Sequence, residues 1–183
     1  MSTLRVLTLC GSLRAKSSHA AVLEALALVA PDDIEITRYA DLGALPPFNP
    51  DHDVTPPALA HRLRKLVGSV DALVISSPEY AHGVAGSLKN ALDWLVESLE
   101  FPGTPVGVIN AAPRASHADA QLREVLRMMS ASLDHRAMLT LPIHGSARDA
   151  AAIAADPALD APLRDMLACL ADLAAARRAD AAG

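Results

Sequence analysis

The chain has 183 residues, of which 51% are hydrophobic, and its formal net charge at pH 7 is −5. This size and composition predict one domain over residues 1–183 with a substantial buried core. The acidic balance, without a basic stripe, excludes a typical nucleic-acid-binding protein. The sequence has no membrane-length apolar run and no signal-peptide pattern, which predicts a cytoplasmic protein without membrane contact. Cys10 and Cys169 form no CxxC pair, in keeping with a reducing compartment.

Strand and helix signals alternate along the chain, as a doubly wound α/β fold requires. The uninterrupted apolar run at residues 72–75 predicts a strand at the centre of a parallel sheet. Residues 34–39 alternate apolar with polar, which predicts an edge strand. The five predicted strands are at residues 4–10, 34–39, 72–75, 106–110 and 137–141.

Capping residues mark the predicted helix ends. Ser18 is placed to cap the first helix, which Pro31 ends. Ser116 with Asp119 three residues later resembles a capping box. The last helix is expected to start near Asp160, and its alanine-rich end, from about residue 176, is expected to fray.

A polar loop follows the first strand at residues 11–19 and leads into the first helix. Hydroxyls, backbone amides and the positive end of the helix dipole converge in such a loop, which suits a phosphate monoester. Arg14 can add a bidentate partner. The glycines of a dinucleotide fingerprint and the lysine of a nucleoside-triphosphate loop are both absent from this segment. A serine-capped helix start without a ligand is the simpler alternative.

A second loop, at residues 76–83, follows the central strand at the sheet edge where ligands of open α/β sheets bind. Pro78 fixes φ and Gly83 permits a tight turn, so neighbouring amides can be directed at a ligand. An exposed loop aromatic is the simpler alternative for Tyr80. A proline-rich loop at residues 41–53 is expected to be either a lid or a connector.

Two motifs together resemble those of the NADPH-dependent FMN reductases and their quinone and chromate reductase relatives. The motifs are Gly11-Ser12-Leu13-Arg14 with Ser17 or Ser18, and Pro78-Glu79-Tyr80 with Leu88-Lys89-Asn90-Ala91-Leu92-Asp93-Trp94. The resemblance extends over nearly the whole chain. It implies a flavodoxin-like three-layer sandwich, with a five-stranded parallel sheet in the order 2-1-3-4-5 and helices on both faces.

The resemblance also implies FMN as cofactor and NADPH or NADH as electron donor. The residues expected to bind the cofactor are Ser12, Arg14, Ser17, Ser18, His19, Pro78, Glu79, Tyr80, Ala81, His82, Gly83, Ala112, Pro113 and Arg114. The family often has Asn at the positions of His19 and Ala81; His19 can still donate to a phosphate. Arg114 is a candidate for contacting either the FMN or the NADPH 2′-phosphate. No catalytic side chain is expected, since hydride passes between cofactors, and no metal-ligand spacing is recognised.

The scarcity of aromatic residues helps to decide between the two functions that this fold suggests. Electron-carrier flavodoxins usually sandwich the flavin between aromatic rings, whereas only Tyr80 stands in a predicted flavin loop here. An open flavin face predicts a ping-pong reductase of flavins, quinones or similar small molecules; the alternative is a non-catalytic electron carrier. The resemblance further implies a homodimer or homotetramer. The residues expected either to pack on the sheet or to form a dimer face are Trp94, Leu95, Leu99 and Phe101.

Overall fold

A five-stranded parallel sheet forms the centre of the molecule, in a computed structural model that describes residues 3–143 and 148–182. The strands are β1 (Leu4–Cys10), β2 (Ile34–Arg38), β3 (Ala72–Ser76), β4 (Glu79–Tyr80), β5 (Gly83–Val84), β6 (Val106–Asn110) and β7 (Met138–Thr140). β4 and β5 form a separate antiparallel hairpin, and the sheet order is β2-β1-β3-β6-β7. Without the hairpin this is the predicted order 2-1-3-4-5, which is thereby confirmed.

Helices cover both faces of the sheet. They are α1 (Ser18–Val29), α2 (Ala58–Ser69), α3 (Gly86–Val96), α4 (Ser116–Met128), α5 (Ala150–Ala154) and α6 (Pro157–Ala182). One core joins the sheet to α1, α5 and α6, and the other joins it to α2, α3 and α4. Val74 belongs to the first core, and its neighbours Leu73 and Ile75 belong to the second. A strand buried on both faces therefore reads as a continuous apolar run.

Several element boundaries differ from the prediction. The N-cap of α1 is Ser17 rather than Ser18, because the Ser17 hydroxyl accepts from the Ala20 amide at 3.4 Å. The last helix begins earlier, at Pro157, because Asp156 accepts from the Ala158 amide at 3.0 Å and Pro162 is accommodated inside the helix. α5 was not predicted, since five residues are too few for a clear periodic pattern. The helix continues to Ala182, and fraying of its end stays a prediction.

The proline-rich loop is a connector held against α3. Asn90 accepts from the Phe48 amide at 2.7 Å and donates to the Pro46 carbonyl at 2.9 Å. The Trp94 indole also donates to the Pro46 carbonyl, at 2.8 Å, and packs edge-on against Phe48. These bonds give two polar members of the 88–94 motif a structural role.

Three of the four residues considered for a dimer face are buried inside the chain. Trp94, Leu95 and Phe101 have no exposed surface, so they pack on the sheet. Leu99 alone of the four is exposed, at 95%. Within residues 3–143 and 148–182, no helix has the length and hydropathy that a bilayer crossing requires.

Candidate functional site

The loops that follow β1 and β3 meet at the carboxyl edge of the sheet because these strands are neighbours. The Gly11 amide donates to the Ser76 carbonyl at 2.8 Å, and the Ser87 hydroxyl donates to the Gly11 carbonyl at 3.1 Å. A Cβ at Gly11 would lie 2.8 Å from the Ser77 Cβ, so glycine is needed for this close approach. The two predicted cofactor loops therefore lie side by side at one edge of the sheet.

The first loop forms a small polar cavity at the start of α1. Its volume is about 240 Å³, and its lining consists of Ser12, Arg14, Lys16, Ser17, Ser18, His19, Pro78 and Tyr80. Seven of the predicted site residues of the first loop and the hairpin thus share one cavity with Lys16. The amides of Ser18 and His19 lie in the first helical turn, where no carbonyl of the same helix can accept from them. Free amides, hydroxyls and two cationic side chains together suit an anion.

His19 is held by a buried chain of hydrogen bonds. Its side chain is 6% exposed, and its Nδ1 lies 2.9 Å from the Ser76 hydroxyl oxygen. That hydroxyl in turn lies 2.7 Å from the Ile109 carbonyl, to which it donates. Burial lowers the pKa of His19 from its ordinary value of 6.5 to about 4. The imidazole is therefore neutral at physiological pH.

A larger cavity of about 400 Å³ adjoins the first and shares Arg14 and Tyr80 with it. Its lining consists of Gly11, Leu13, Arg14, Tyr80, Ala85, Gly86 and Ser87. A Cβ added at Gly86 would meet no atom within 4 Å, so the space beside the start of α3 is open. Apolar and backbone surface dominates this side of the site, which suits a flat ring system.

The β4–β5 hairpin turns through two residues with left-handed backbone. The φ angles are 49° at Ala81 and 60° at His82, as in the two-residue type I′ turn that joins twisted strands. The expectation that Gly83 makes the turn is wrong: its φ is not positive, and it begins β5. The Gln121 side chain accepts from the Val84 amide at 2.8 Å and ties the hairpin to α4.

Glu79 also joins the hairpin to α4. Its Oε2 accepts from the Ala118 amide at 2.9 Å, at the positive end of that helix. The predicted capping box of Ser116 and Asp119 is wrong, because α4 has Ala115 as its N-cap residue and Asp119 pairs with Arg123. A carboxylate from a different loop performs the capping, and no local pattern could have predicted it.

The third loop follows β6 and is braced by Asn110. The side chain of this residue is 6% exposed; it accepts from the Ala112 amide at 3.0 Å and donates to the Ala115 carbonyl at 3.2 Å. Pro113 and Arg114 are exposed. Ala112, Pro113 and Arg114 line neither of the two cavities, so the structure does not bring them together with the other predicted residues.

Sequence reasoning missed four residues that shape the site: Ser76, Ser87, Gly86 and Gln121. Ser76 carried a signal, because a polar residue that ends a buried strand stands at the ligand edge of the sheet. Gln121 carried none, since its partner is 37 residues away in the chain.

The two adjoining cavities fit the parts of FMN. The polar cavity offers donors for a phosphate, and the larger cavity offers open space bordered by the hairpin backbone for a ring. Residues 3–143 and 148–182 contain no group of three or more His, Cys, Asp or Glu side chains placed to hold a metal ion.

Comparisons with known proteins agree with this fit. The sequence model of a family described as NADPH-dependent FMN reductase matches residues 4–142. The chain is 39% identical to an NAD(P)H-dependent FMN reductase of Pseudomonas aeruginosa, over 67% of this chain and 69% of that protein. It is 34% identical to a quinone reductase of Escherichia coli, over 70% of this chain and 72% of that protein.

A solved structure is similar over nearly the full length. The flavoenzyme NAD(P)H:(acceptor) oxidoreductase FerB of Paracoccus denitrificans superposes with a TM-score of 0.78 and 25% sequence identity, covering 94% of this chain and 97% of that one.

Proposed function

The chain belongs to the NADPH-dependent FMN reductase family, and we propose that it passes electrons from NAD(P)H through FMN to a quinone, a free flavin or a similar small acceptor. Family membership makes it an enzyme, an FMN-dependent oxidoreductase with NAD(P)H as electron donor. Relatives named as FMN and quinone reductases support the choice of acceptor class. The non-catalytic electron carrier is set aside.

The observation that carries the proposal is the pairing of an anion cradle with an open cavity across Arg14 and Tyr80. Bound FMN supplies the hydride-accepting and electron-donating ring. The phosphate is held by the first loop: Arg14 contributes its guanidinium, Ser12 and Ser17 their hydroxyls, and Ser18 and His19 their free amides.

The hairpin positions the ring side of the site. Its backbone is fixed at one end by Glu79 and at the other by the Val84 amide, so the amides between them are held in place for hydrogen bonding. Pro78 and Tyr80 border the cavity, while Ala81, His82 and Gly83 form the turn and the start of the return strand. A fixed backbone can stabilise charge on the ring without any catalytic side chain.

We assign the third loop, Ala112 to Arg114, to the opposite side of the site, where the nucleotide approaches. Arg114 is exposed, so its guanidinium is available to a phosphate of NADPH or of FMN. This exposed position supports a role in binding.

A single open face supports a ping-pong order. Tyr80 is the one aromatic side chain that borders the larger cavity, and it is 53% exposed. The open side can admit the nicotinamide first and the acceptor afterwards. Both reactions then need only close, parallel placement of two rings.

We also propose that the chain forms one domain and assembles as a homodimer or homotetramer. It would reside in the cytoplasm, where NAD(P)H is available. Val96 and Leu99, at and beyond the end of α3, are 52% and 95% exposed, which supports self-association there.

An anaerobic titration tests the function. FMN-loaded protein is titrated with NADPH, or in parallel with NADH, while the visible flavin band is followed. We expect rapid bleaching that a quinone reverses. Flavin that stays oxidised with both nucleotides would contradict the reductase and support an electron carrier. A double-reciprocal plot with parallel lines at varied quinone supports the ping-pong order, and intersecting lines contradict it.

A further inference from the structure

The hydrogen bonds around His19 determine which ring nitrogen carries its proton. The Ser76 hydroxyl has a single hydrogen, and it lies 2.7 Å from the Ile109 carbonyl oxygen, which can only accept. The hydroxyl oxygen must then accept from His19, whose Nδ1 is 2.9 Å away. Neutral imidazole has one N–H, so Nδ1 is the donor and Nε2 carries a lone pair.

This tautomer is mismatched to an anion. With Nδ1 directed at Ser76, Nε2 is the ring nitrogen left for the polar cavity, which His19 lines. A lone pair and a phosphate oxygen repel each other, whereas a protonated Nε2 would donate a charge-assisted hydrogen bond. The other polar groups that line the cavity suit an anion, whereas the neutral His19 ring presents a lone pair to it.

We propose that His19 takes up a proton at Nε2 when the FMN phosphate binds, so that cofactor binding is coupled to protonation of this residue. The inference rests on the proposed placement of the phosphate in the polar cavity. Ser76 acts as a positioning residue, because its bond to Ile109 prevents the neutral ring from presenting an N–H to the ligand. No bond other than the N–H is made or broken, and the proton comes from solvent.

Burial keeps the ring neutral until an anion arrives. Arg14 and Lys16 line the cavity from the first loop, and Tyr80 lines it from the hairpin. The Cys10 thiol ends β1 nearby, with its pKa raised by burial. Arg148 and Asp149 border a neighbouring cavity that shares Lys16 and Ser17 with the polar cavity and also contains Glu24, and Arg148 pairs with Asp156. A phosphate dianion neutralises the nearby cations and favours the imidazolium.

The test measures protons directly. Calorimetric FMN titrations near pH 7.5, in buffers of different ionisation enthalpy, give the number of protons taken up per FMN. The phosphate's own second pKa is about 6, so it is a dianion there. We expect net proton uptake for the wild type, of at most about one proton per FMN, and an affinity that falls as pH rises, by at most about tenfold per pH unit.

Two variants are compared with the wild type. His19→Asn places an amide donor beside the cavity, which binds phosphate without a proton change, so proton uptake and the pH slope should vanish. Ser76→Ala frees the ring to place its single hydrogen on Nε2, so uptake should fall by at least about half while FMN still binds.

Each outcome separates the inference from the function on which it rests. Wild-type protein that fails to bind FMN at any pH contradicts the proposed site. FMN binding without proton uptake, or with the same uptake in wild type and variant, overturns the inference alone. If His19→Asn does not fold, an unchanged uptake in Ser76→Ala is enough to overturn it.

Discussion

The first loop and the hairpin, the two segments with the clearest sequence motifs, use their polar groups differently. In the first loop, Arg14 is exposed and the Ser18 and His19 amides have no helical acceptor. In the hairpin, the Glu79 carboxylate caps α4, and the Val84 amide is bound by Gln121. One segment leaves its polar groups free for a ligand, while the other uses them to fix its own backbone.

This difference indicates how a motif should be interpreted. In the first loop the residue types themselves suit the ligand, because side-chain hydroxyls and a guanidinium recognise phosphate. In the hairpin the residue types determine the backbone shape, and the backbone faces the ring. Substitutions in the first loop should therefore change FMN affinity, whereas substitutions in the hairpin should first change stability.

Acidification should lower the free energy of unfolding through His19, at the end of the first loop. The pKa of His19 is about 4 in the folded protein against an ordinary 6.5, so the unfolded chain binds the proton first as pH falls. The contribution of neutral His19 to the free energy of unfolding is fully present above pH 6.5 and is lost as pH falls to about 4. At about 1.36 kcal/mol per pKa unit, the loss is at most about 3 kcal/mol. Urea unfolding of FMN-free protein measures it. His19→Asn should have a flatter profile; equal slopes would contradict the assignment to this residue.

Loss of the Arg14 guanidinium should weaken FMN binding by about 2 kcal/mol, or roughly 30-fold, since a charge-assisted pair to the phosphate is removed. Arg14→Ala is compared with Lys16→Ala by quenching of flavin fluorescence. Both variants lose one positive charge at the same cavity. Riboflavin, which has no phosphate, should bind Arg14→Ala as well as wild type, and an equal loss for both ligands would refute a phosphate contact.

Glu79→Ala should lower the free energy of unfolding by about 1–2 kcal/mol, because the Ala118 amide loses its carboxylate acceptor. The matched control is Glu79→Gln, which keeps an acceptor oxygen without the charge and should lose less. Urea denaturation gives both values. If alanine and glutamine are equally harmful, the hydrogen bond is not the cause.

Ala81→Asn should stabilise the protein by up to about 1 kcal/mol, because Asn adopts the left-handed backbone of this turn at lower cost than Ala. Its control is Ala155→Asn, at an exposed position with φ −83°, where Asn relieves no strain and should not stabilise. Thermal unfolding compares the two. A lower melting temperature for Ala81→Asn would show that the turn is not strained at this residue.

Much of the site was predictable from local patterns. Arg14, Ser17 and Ser18 were identified because a strand, a polar loop and a helix start are adjacent in the chain, and the same positions line the cavity. The Lys89–Asp93 ion pair, at 2.5 Å, also follows from local sequence, since helical periodicity places residues four apart on one face.

Errors arose where partners are distant in sequence. Ser116 and Asp119 matched a capping box, but the cap comes from Glu79, 39 residues away from Ala118. Gly83 was predicted to permit the tight turn, whereas the hairpin register puts the left-handed positions at Ala81 and His82. The third loop lines neither cavity, so its place beside the cofactor stays a prediction.

The sequence by itself determined which strand lies at the centre of the sheet and which lies at an edge, because burial on one or two faces is encoded in the periodicity of each apolar run. Only the tertiary structure decided which tautomer His19 adopts. The Ser76 hydroxyl has a single hydrogen and donates it to the Ile109 carbonyl, 90 positions from His19 in the chain, so its oxygen must accept from the His19 ring. Hydrophobic patterning acts between near neighbours in the chain, whereas the proton's position depends on atoms that only the packed sheet brings together.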